Sequence, residues 1–152
     1  DVIRVGEAAF APAAGWNIES GLREGTSSSG LYPERAAVAR DGVTFSVVTG
    51  SFDGTPAALL RQIRRSNDRL GPDAVAIASG PATTVATTQG DEGAVARFTS
   101  ANTEGLIAAF VFDGTGVEVV AYGPPGLTGS ARLEADLVAM VRSVRPIDGA
   151  TS

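Results

Sequence analysis

Alternating apolar and polar positions predict β-strands over most of the chain. Val43, Phe45 and Val47 alternate with polar neighbours and follow Asp41-Gly42. Because Asp-Gly between two apolar runs favours a tight type I′ hairpin, the sequence predicts paired strands at 36–40 and 43–48. The same pattern predicts further strands at 2–10 with a break at Gly6, at 16–19, 74–79, 82–88, 94–99, 106–112 and 117–122. Since the connections between the later strands are short, we expect an antiparallel meander.

Two segments have helical spacing instead. In the first, Thr55 is positioned as an N-cap with Pro56 at the first helical position, and Gly71-Pro72 ends the helix. The second runs from about Thr128 to Ser143, with an apolar stripe formed by Leu133, Leu137, Val141 and Val144. Strands and helices together predict an α+β fold in which a central antiparallel β-sheet is flanked by helices.

The length of 152 residues indicates one domain with enough core to fold without disulfides or metals. We therefore predict a single α+β domain over 1–152, with a flexible surface loop at about 20–30 and a frayed tail at 148–152. The loop prediction rests on a run of Ser, Gly and charged residues that lacks periodicity.

The absence of cysteine, histidine and lysine limits the catalytic mechanisms open to this chain. The chain has no cysteine and no histidine, and all 12 basic residues are arginines. Most routes to acid–base, nucleophilic and zinc catalysis are thereby removed, so we expect no enzyme activity, no cofactor and no metal. A hydrolase that uses two carboxylates alone stays open as an alternative. Asp91-Glu92 and Asp113, however, lie in predicted turns, where acidic residues are favoured for local reasons.

Charge and hydropathy limit the partners. A net charge of −5 argues against a nucleic-acid partner, which favours a basic surface. No apolar run approaches the roughly 20 residues that cross a bilayer. Because the chain begins at Asp1 rather than at a methionine, we expect a trimmed or mature segment, with any signal peptide or membrane anchor lying upstream of it.

Two sets of residues are candidates for binding a partner. Four arginines fall on one face of the first predicted helix: Arg61, Arg64, Arg65 and Arg69. That face is suited to an acidic partner or anionic lipid headgroups, or else it is the solvated side of an amphipathic helix. The aromatic residues Trp16, Tyr32 and Phe52 lie near predicted loops, where they line a groove or pack in the core.

The opening Phe10-Ala-Pro-Ala-Ala-Gly15-Trp16, the order of the elements, and a last helix ending Met140-Val141-Arg142-Ser143 resemble PsbP/Mog1-like domains. The resemblance spans nearly the whole chain and implies a non-catalytic accessory or binding module. In actinobacteria of high GC content, similar domains are extracytoplasmic parts of lipoproteins and single-span membrane proteins.

Within that group, the overall organisation is similar to the periplasmic domains of trehalose monomycolate transport factors of the mycobacterial envelope. The resemblance thus implies a protein partner in envelope lipid transport, an MmpL-type exporter, and a periplasmic location tethered to the inner membrane. A small-molecule or lipid carrier is the alternative, and it requires an apolar pocket of a few hundred cubic ångströms.

Overall fold

The computed structural model describes residues 2–23, 25, 29, 31–68, 78–79, 82–99, 104–124 and 131–147. Within these ranges the strands are β1 (Ile3–Val5), β2 (Ala8–Phe10), β3 (Asn17–Ser20), β4 (Leu22–Arg23), β5 (Arg35–Arg40), β6 (Val43–Ser51), β7 (Ala78–Ser79), β8 (Thr83–Ala86), β9 (Glu92–Thr99), β10 (Glu104–Phe112), β11 (Thr115–Gly123) and β12 (Arg145–Pro146). The helices are α1 (Pro56–Asp68) and α2 (Ala131–Arg142).

The strands form two antiparallel sheets. The main sheet has the order β3-β5-β6-β11-β10-β9-β7, and β8 also pairs with β9. The small sheet has the order β12-β2-β1-β4. The predicted meander is confirmed for β9, β10 and β11. β11 also pairs with β6, so the meander and the β5–β6 hairpin form one sheet. The predicted α+β class with an antiparallel sheet is confirmed.

Two tight turns set the register of the main sheet. Asp41 and Gly42 both have positive φ, at 51° and 81°, as a type I′ turn requires, and Arg40 pairs with Val43. Asp113 and Gly114 repeat this geometry between β10 and β11, with φ of 47° and 83°. The hairpin predicted from Asp41-Gly42 is confirmed.

The main sheet has a hydrophobic cluster on each face. Alternate residues of β10 divide between them, since Leu106, Ala108 and Phe110 belong to the first cluster and Ile107 and Ala109 to the second. The first cluster also holds apolar residues of the small sheet and of α2: Ile3, Val5, Ala8, Phe10, Leu137, Met140 and Val141. The second cluster holds the buried residues of α1: Leu59, Leu60 and Ile63. β10 is consequently buried on both sides over most of its length.

Both predicted helices form, and α1 begins at Pro56 as predicted. The Ala58 N–H donates to Thr55 Oγ1 at 3.1 Å, which confirms Thr55 as the N-cap of α1. The described part of α2 ends at Arg142, whereas the sequence predicts its end at Ser143. Val144, the last member of the predicted stripe, lies between the end of α2 and the start of β12. Its side chain is nevertheless buried in the core.

The segment predicted as a loop at about 20–30 contains short strand structure. Leu22 and Arg23 pair with β1, because Gly21 with its φ of 103° turns the chain away from β3. Other residues of that segment lie outside the described ones, as do the predicted tail at 148–152 and positions 74–77 of a predicted strand. In the ranges described, no helix has both the length and the apolar character needed to cross a bilayer.

Candidate functional site

An apolar groove lies between α2 and the strands β8, β9 and β10, and its volume is about 300 Å³. The residues that line it are mostly aliphatic: Val85, Val95, Ala96, Leu106, Val138 and Val141, with Thr83 and Arg97. Binding sites are typically concave and predominantly apolar, with few polar groups. This groove is therefore the candidate functional site.

The groove continues the first hydrophobic cluster towards the surface. Val141 belongs to that cluster with 3% exposure, and Val85 and Val95 pack against it. Val138, one turn earlier on the same face of α2, is 39% exposed. An occupant would thus contact side chains that are already fixed by core packing.

Two hydrogen bonds tie the end of β8 to α2. Arg142 Nε donates to the Ala86 carbonyl oxygen at 3.1 Å, and the Thr88 N–H donates to the Arg142 carbonyl oxygen at 2.9 Å. A basic side chain suits this position, because the last carbonyls of a helix carry partial negative charge. These bonds fix the spacing between two walls of the groove.

An ion pair lies beside the groove, where Arg97 of β9 meets Glu134 of α2. Glu134 precedes Val138 by four residues and so shares its side of the helix. The second carboxylate oxygen, Oε2, is buried and has no hydrogen-bond partner among the described residues. Since the Arg97 side chain is half exposed, we expect the pair to add little stability. It supplies the polar contact beside an otherwise apolar surface.

The predicted arginine face is described only in part. Arg61 is exposed on α1. The side chains of Arg64 and Arg65, and the whole of Arg69, lie outside the described part of the chain. Because α1 packs on the second cluster and α2 on the first, the structure does not bring Arg61 to the groove.

The three predicted aromatic residues lie in separate environments. Trp16 is 8% exposed in the first cluster, and its Nε1–H donates to Asp136 Oδ2 of α2 at 3.0 Å. Phe52 is half-buried and packs against the second cluster. Tyr32 lines a polar pocket near the small sheet. The structure therefore does not join these residues into one surface.

Among the described residues that line the apolar groove there is no carboxylate. Glu7 and Glu34 line the polar pocket near the small sheet, but both side chains are exposed. They lack the water-excluded setting in which carboxyl pairs act as acid and base.

Glu118 lies on the face of the main sheet away from the groove. Burial raises the pKa of the Glu118 carboxyl, and the nearby Arg35 guanidinium lowers it in part. No group of three or more acidic residues placed to hold a metal occurs in the described ranges.

Sequence reasoning did not single out the residues of the groove. Val85 and Val95 fall within predicted strands, and Val138 adjoins the predicted stripe of α2. The one sequence feature that could have indicated the groove is Val138, an aliphatic residue that lies outside the apolar stripe containing Leu137 and Val141. The groove forms only where α2 crosses the sheet, and no local sequence pattern specifies that crossing.

The sheet order and the two helices define a PsbP-like α+β fold. The chain is similar to the solution structure of cyanobacterial PsbP (CyanoP) from Synechocystis sp. PCC 6803, with a TM-score of 0.58 and 12% sequence identity over 92% of this chain and 86% of that one. A crystal structure from Bacteroides thetaiotaomicron VPI-5482 aligns with a TM-score of 0.49 and 13% identity, over 97% of this chain and 48% of that one. No family model and no curated protein matches the sequence.

Proposed function

We propose that this chain is a non-catalytic accessory domain that binds a protein partner through the groove between α2 and β8–β10. The observation that carries the proposal is the aliphatic lining of the groove, with Val138 exposed beside the Arg97–Glu134 pair. Exposed apolar surface of this kind, bordered by polar residues, is typical of interaction sites.

The size of the groove favours a protein segment as its occupant. A volume of about 300 Å³ is at the lower end for small-molecule pockets. It accommodates a few aliphatic side chains and is small for a lipid with long acyl chains. We therefore expect a partner segment that inserts aliphatic side chains between Val138 and Val85, with a polar group near Arg97.

The biological setting proposed here is envelope lipid transport outside the cytoplasmic membrane. The partner would be an MmpL-type exporter of trehalose monomycolate or another envelope protein, with the domain tethered to the inner membrane. Support for this setting comes from the sequence resemblance to extracytoplasmic actinobacterial domains. The PsbP-like fold is compatible with it, and the lack of His, Cys and Lys supports a role without catalysis.

Site-specific crosslinking tests the proposal, and the cysteine-free chain makes it direct. Val138→Cys would carry a photoactivatable maleimide, and the protein would be illuminated with actinobacterial membranes. Ala139→Cys is the matched control, because Ala139 is exposed on α2 but does not line the groove. We expect mass spectrometry to find the exporter attached at position 138 and not at 139. Equal attachment at both positions, or no envelope membrane protein at 138, would contradict the proposal.

A lipid or small-molecule carrier is the second candidate, because the groove supplies the apolar cavity that such a role requires. Titration with a fluorescent fatty acid tests it. A carrier should bind the probe and lose binding in Val138→Asp but not in Ala139→Asp, since only position 138 lines the groove. Absence of binding in the unmodified protein would eliminate this candidate and leave the protein-partner proposal intact.

A further inference from the structure

The strand β8 lies at an edge of the main sheet and forms one wall of the apolar groove. It pairs with β9 on one side, and within the described ranges no strand pairs with its other side. Thr83, Thr84 and Ala86 are exposed, and Val85 is half-buried in the groove wall. Because an edge strand presents backbone groups to which a further strand can bond, β8 is a candidate for pairing with an extended segment.

The turn after β8 shows which of its backbone groups point away from β9. The Thr87 N–H donates to the Asp91 carbonyl oxygen at 2.8 Å, so residue 87 faces β9 in the ladder. Since alternate residues of an antiparallel pair bond to the partner strand, Thr84 and Ala86 direct their N–H and carbonyl groups outwards. The hydrogen bond from Arg142 Nε to the Ala86 carbonyl confirms this direction. Thr84 thus offers one donor and one acceptor that have no partner among the described residues.

The opposite edge of the main sheet is protected against strand addition. There β3 carries the exposed Glu19, and its register with β5 shifts between Ile18 and Ser20. A charged side chain and an irregular register both discourage the pairing of a further strand. β8, in contrast, keeps a regular register with β9 from Thr83 to Ala86 and has no charged side chain. The difference favours β8 as the edge that a partner uses.

The groove determines which side chains the added segment would carry. In a strand paired with β8, the residue opposite Thr84 lies between two residues whose side chains share a face with Thr83 and Val85. Thr83 and Val85 line the groove, and Val138 of α2 lines it from the helix side. Two aliphatic side chains at positions i and i+2 of the segment would therefore enter the groove, while the residue between them bonds to Thr84.

We propose that β8 accepts an extended segment of the protein partner by strand addition, with its central residue bonded to Thr84 and its two aliphatic neighbours in the groove. The proposal rests on the function proposed above, because it specifies how the partner occupies the groove. Main-chain hydrogen bonds supply affinity in this mode of recognition, and the groove selects the side chains. A segment bound as a helix would leave the outward groups of Thr84 unpaired.

Hydrogen exchange of the Thr84 amide, measured by NMR, tests the proposal with a defined probe. The probe is a capped heptapeptide of alternating threonine and valine with a lysine at each end, so that two valines flank a central threonine. We expect a Kd below about 1 mM and exchange of the Thr84 amide slowed by about tenfold or more, because this N–H becomes bonded only in the complex. Methylation of the central peptide nitrogen should abolish both effects. Methylation of a valine nitrogen, whose N–H points away from β8, should preserve them.

A pair of variants separates the backbone of Thr84 from its side chain. Thr84→Pro removes the outward N–H, which a proline on an edge strand can lack without breaking the ladder. This variant should bind the peptide about tenfold more weakly or worse and retain the far-UV circular dichroism spectrum. Thr84→Ala keeps the N–H and should bind like the unmodified protein.

Absence of peptide binding at about 10 mM, binding without protection of the Thr84 amide, or equal binding of the two methylated peptides would each overturn the proposal. Protection of Thr84 that needs no peptide and rises with protein concentration would also overturn it, because the edge would then pair with a second copy of this chain. None of these results removes the groove as a partner site, which crosslinking at Val138 tests independently.

Discussion

Single residues determine how closely neighbouring strands approach. A Cβ at Gly105 of β10 would overlap the Ala121 carbonyl of β11, which is backbone and cannot move independently of the sheet. We expect Gly105→Ala to lower the free energy of unfolding by about 3 kcal/mol, measured by urea denaturation. Gly50→Ala is the control, since a Cβ there meets nothing within 4 Å, and its change should stay below about 0.5 kcal/mol. Similar losses in both variants would contradict the prediction.

Glu118 gives stability a dependence on pH. Burial raises its pKa, so the folded protein binds this proton more tightly than the unfolded chain does. Stability from this group is therefore lost as pH rises through the folded pKa. Glu118→Gln should raise the urea midpoint at neutral pH and change it much less at pH about 4, where the carboxyl is largely protonated. The exposed Glu92→Gln should show no such pattern, and a lower midpoint for Glu118→Gln at neutral pH would refute the sign.

At the scale of elements, α1 depends on its N-cap. Thr55 Oγ1 accepts from the Ala58 N–H, satisfying one of the donors that a helix start leaves unpaired. Thr55→Ala should lower the free energy of unfolding by about 1 kcal/mol, whereas Thr55→Ser should largely preserve it. Thermal unfolding followed by circular dichroism measures both. A serine variant as unstable as the alanine variant would show that the methyl group of Thr55, rather than its hydroxyl, is what matters.

Elements with a local signal were predictable from the sequence. The Asp41-Gly42 turn and the Thr55-Pro56 helix start carry their own chemistry, and both form as expected. β4 and β12 were missed because each is two residues long and exists only through pairing with the small sheet. Thr49 lies one residue beyond the strand predicted at 43–48, because β6 continues to Ser51 through its pairing with β11.

At the scale of the whole molecule, the main sheet is shared by two hydrophobic clusters. Trp16, the chain's one tryptophan, reports on the first cluster, while Leu59 of α1 is buried in the second. Adjacent residues of β10 belong to opposite clusters. If one cluster unfolds, it exposes the β10 backbone, which also carries the side chains of the other cluster. The groove lies on the face of the first cluster, because Leu106 and Val141 belong to that cluster and Val85 and Val95 pack against it.

We therefore expect the two clusters to unfold in one transition, as a single domain does. Leu59→Ala should lower the free energy of unfolding by about 3 kcal/mol by leaving a cavity under α1. The urea midpoint should fall equally by Trp16 fluorescence and by far-UV circular dichroism, although Leu59 and Trp16 lie on opposite faces of the sheet. Leu31→Ala is the control, since Leu31 is 76% exposed and belongs to neither cluster. A shift of the circular dichroism midpoint without a matching fluorescence shift would show that the α1 side unfolds independently, and the single-domain prediction would then be wrong.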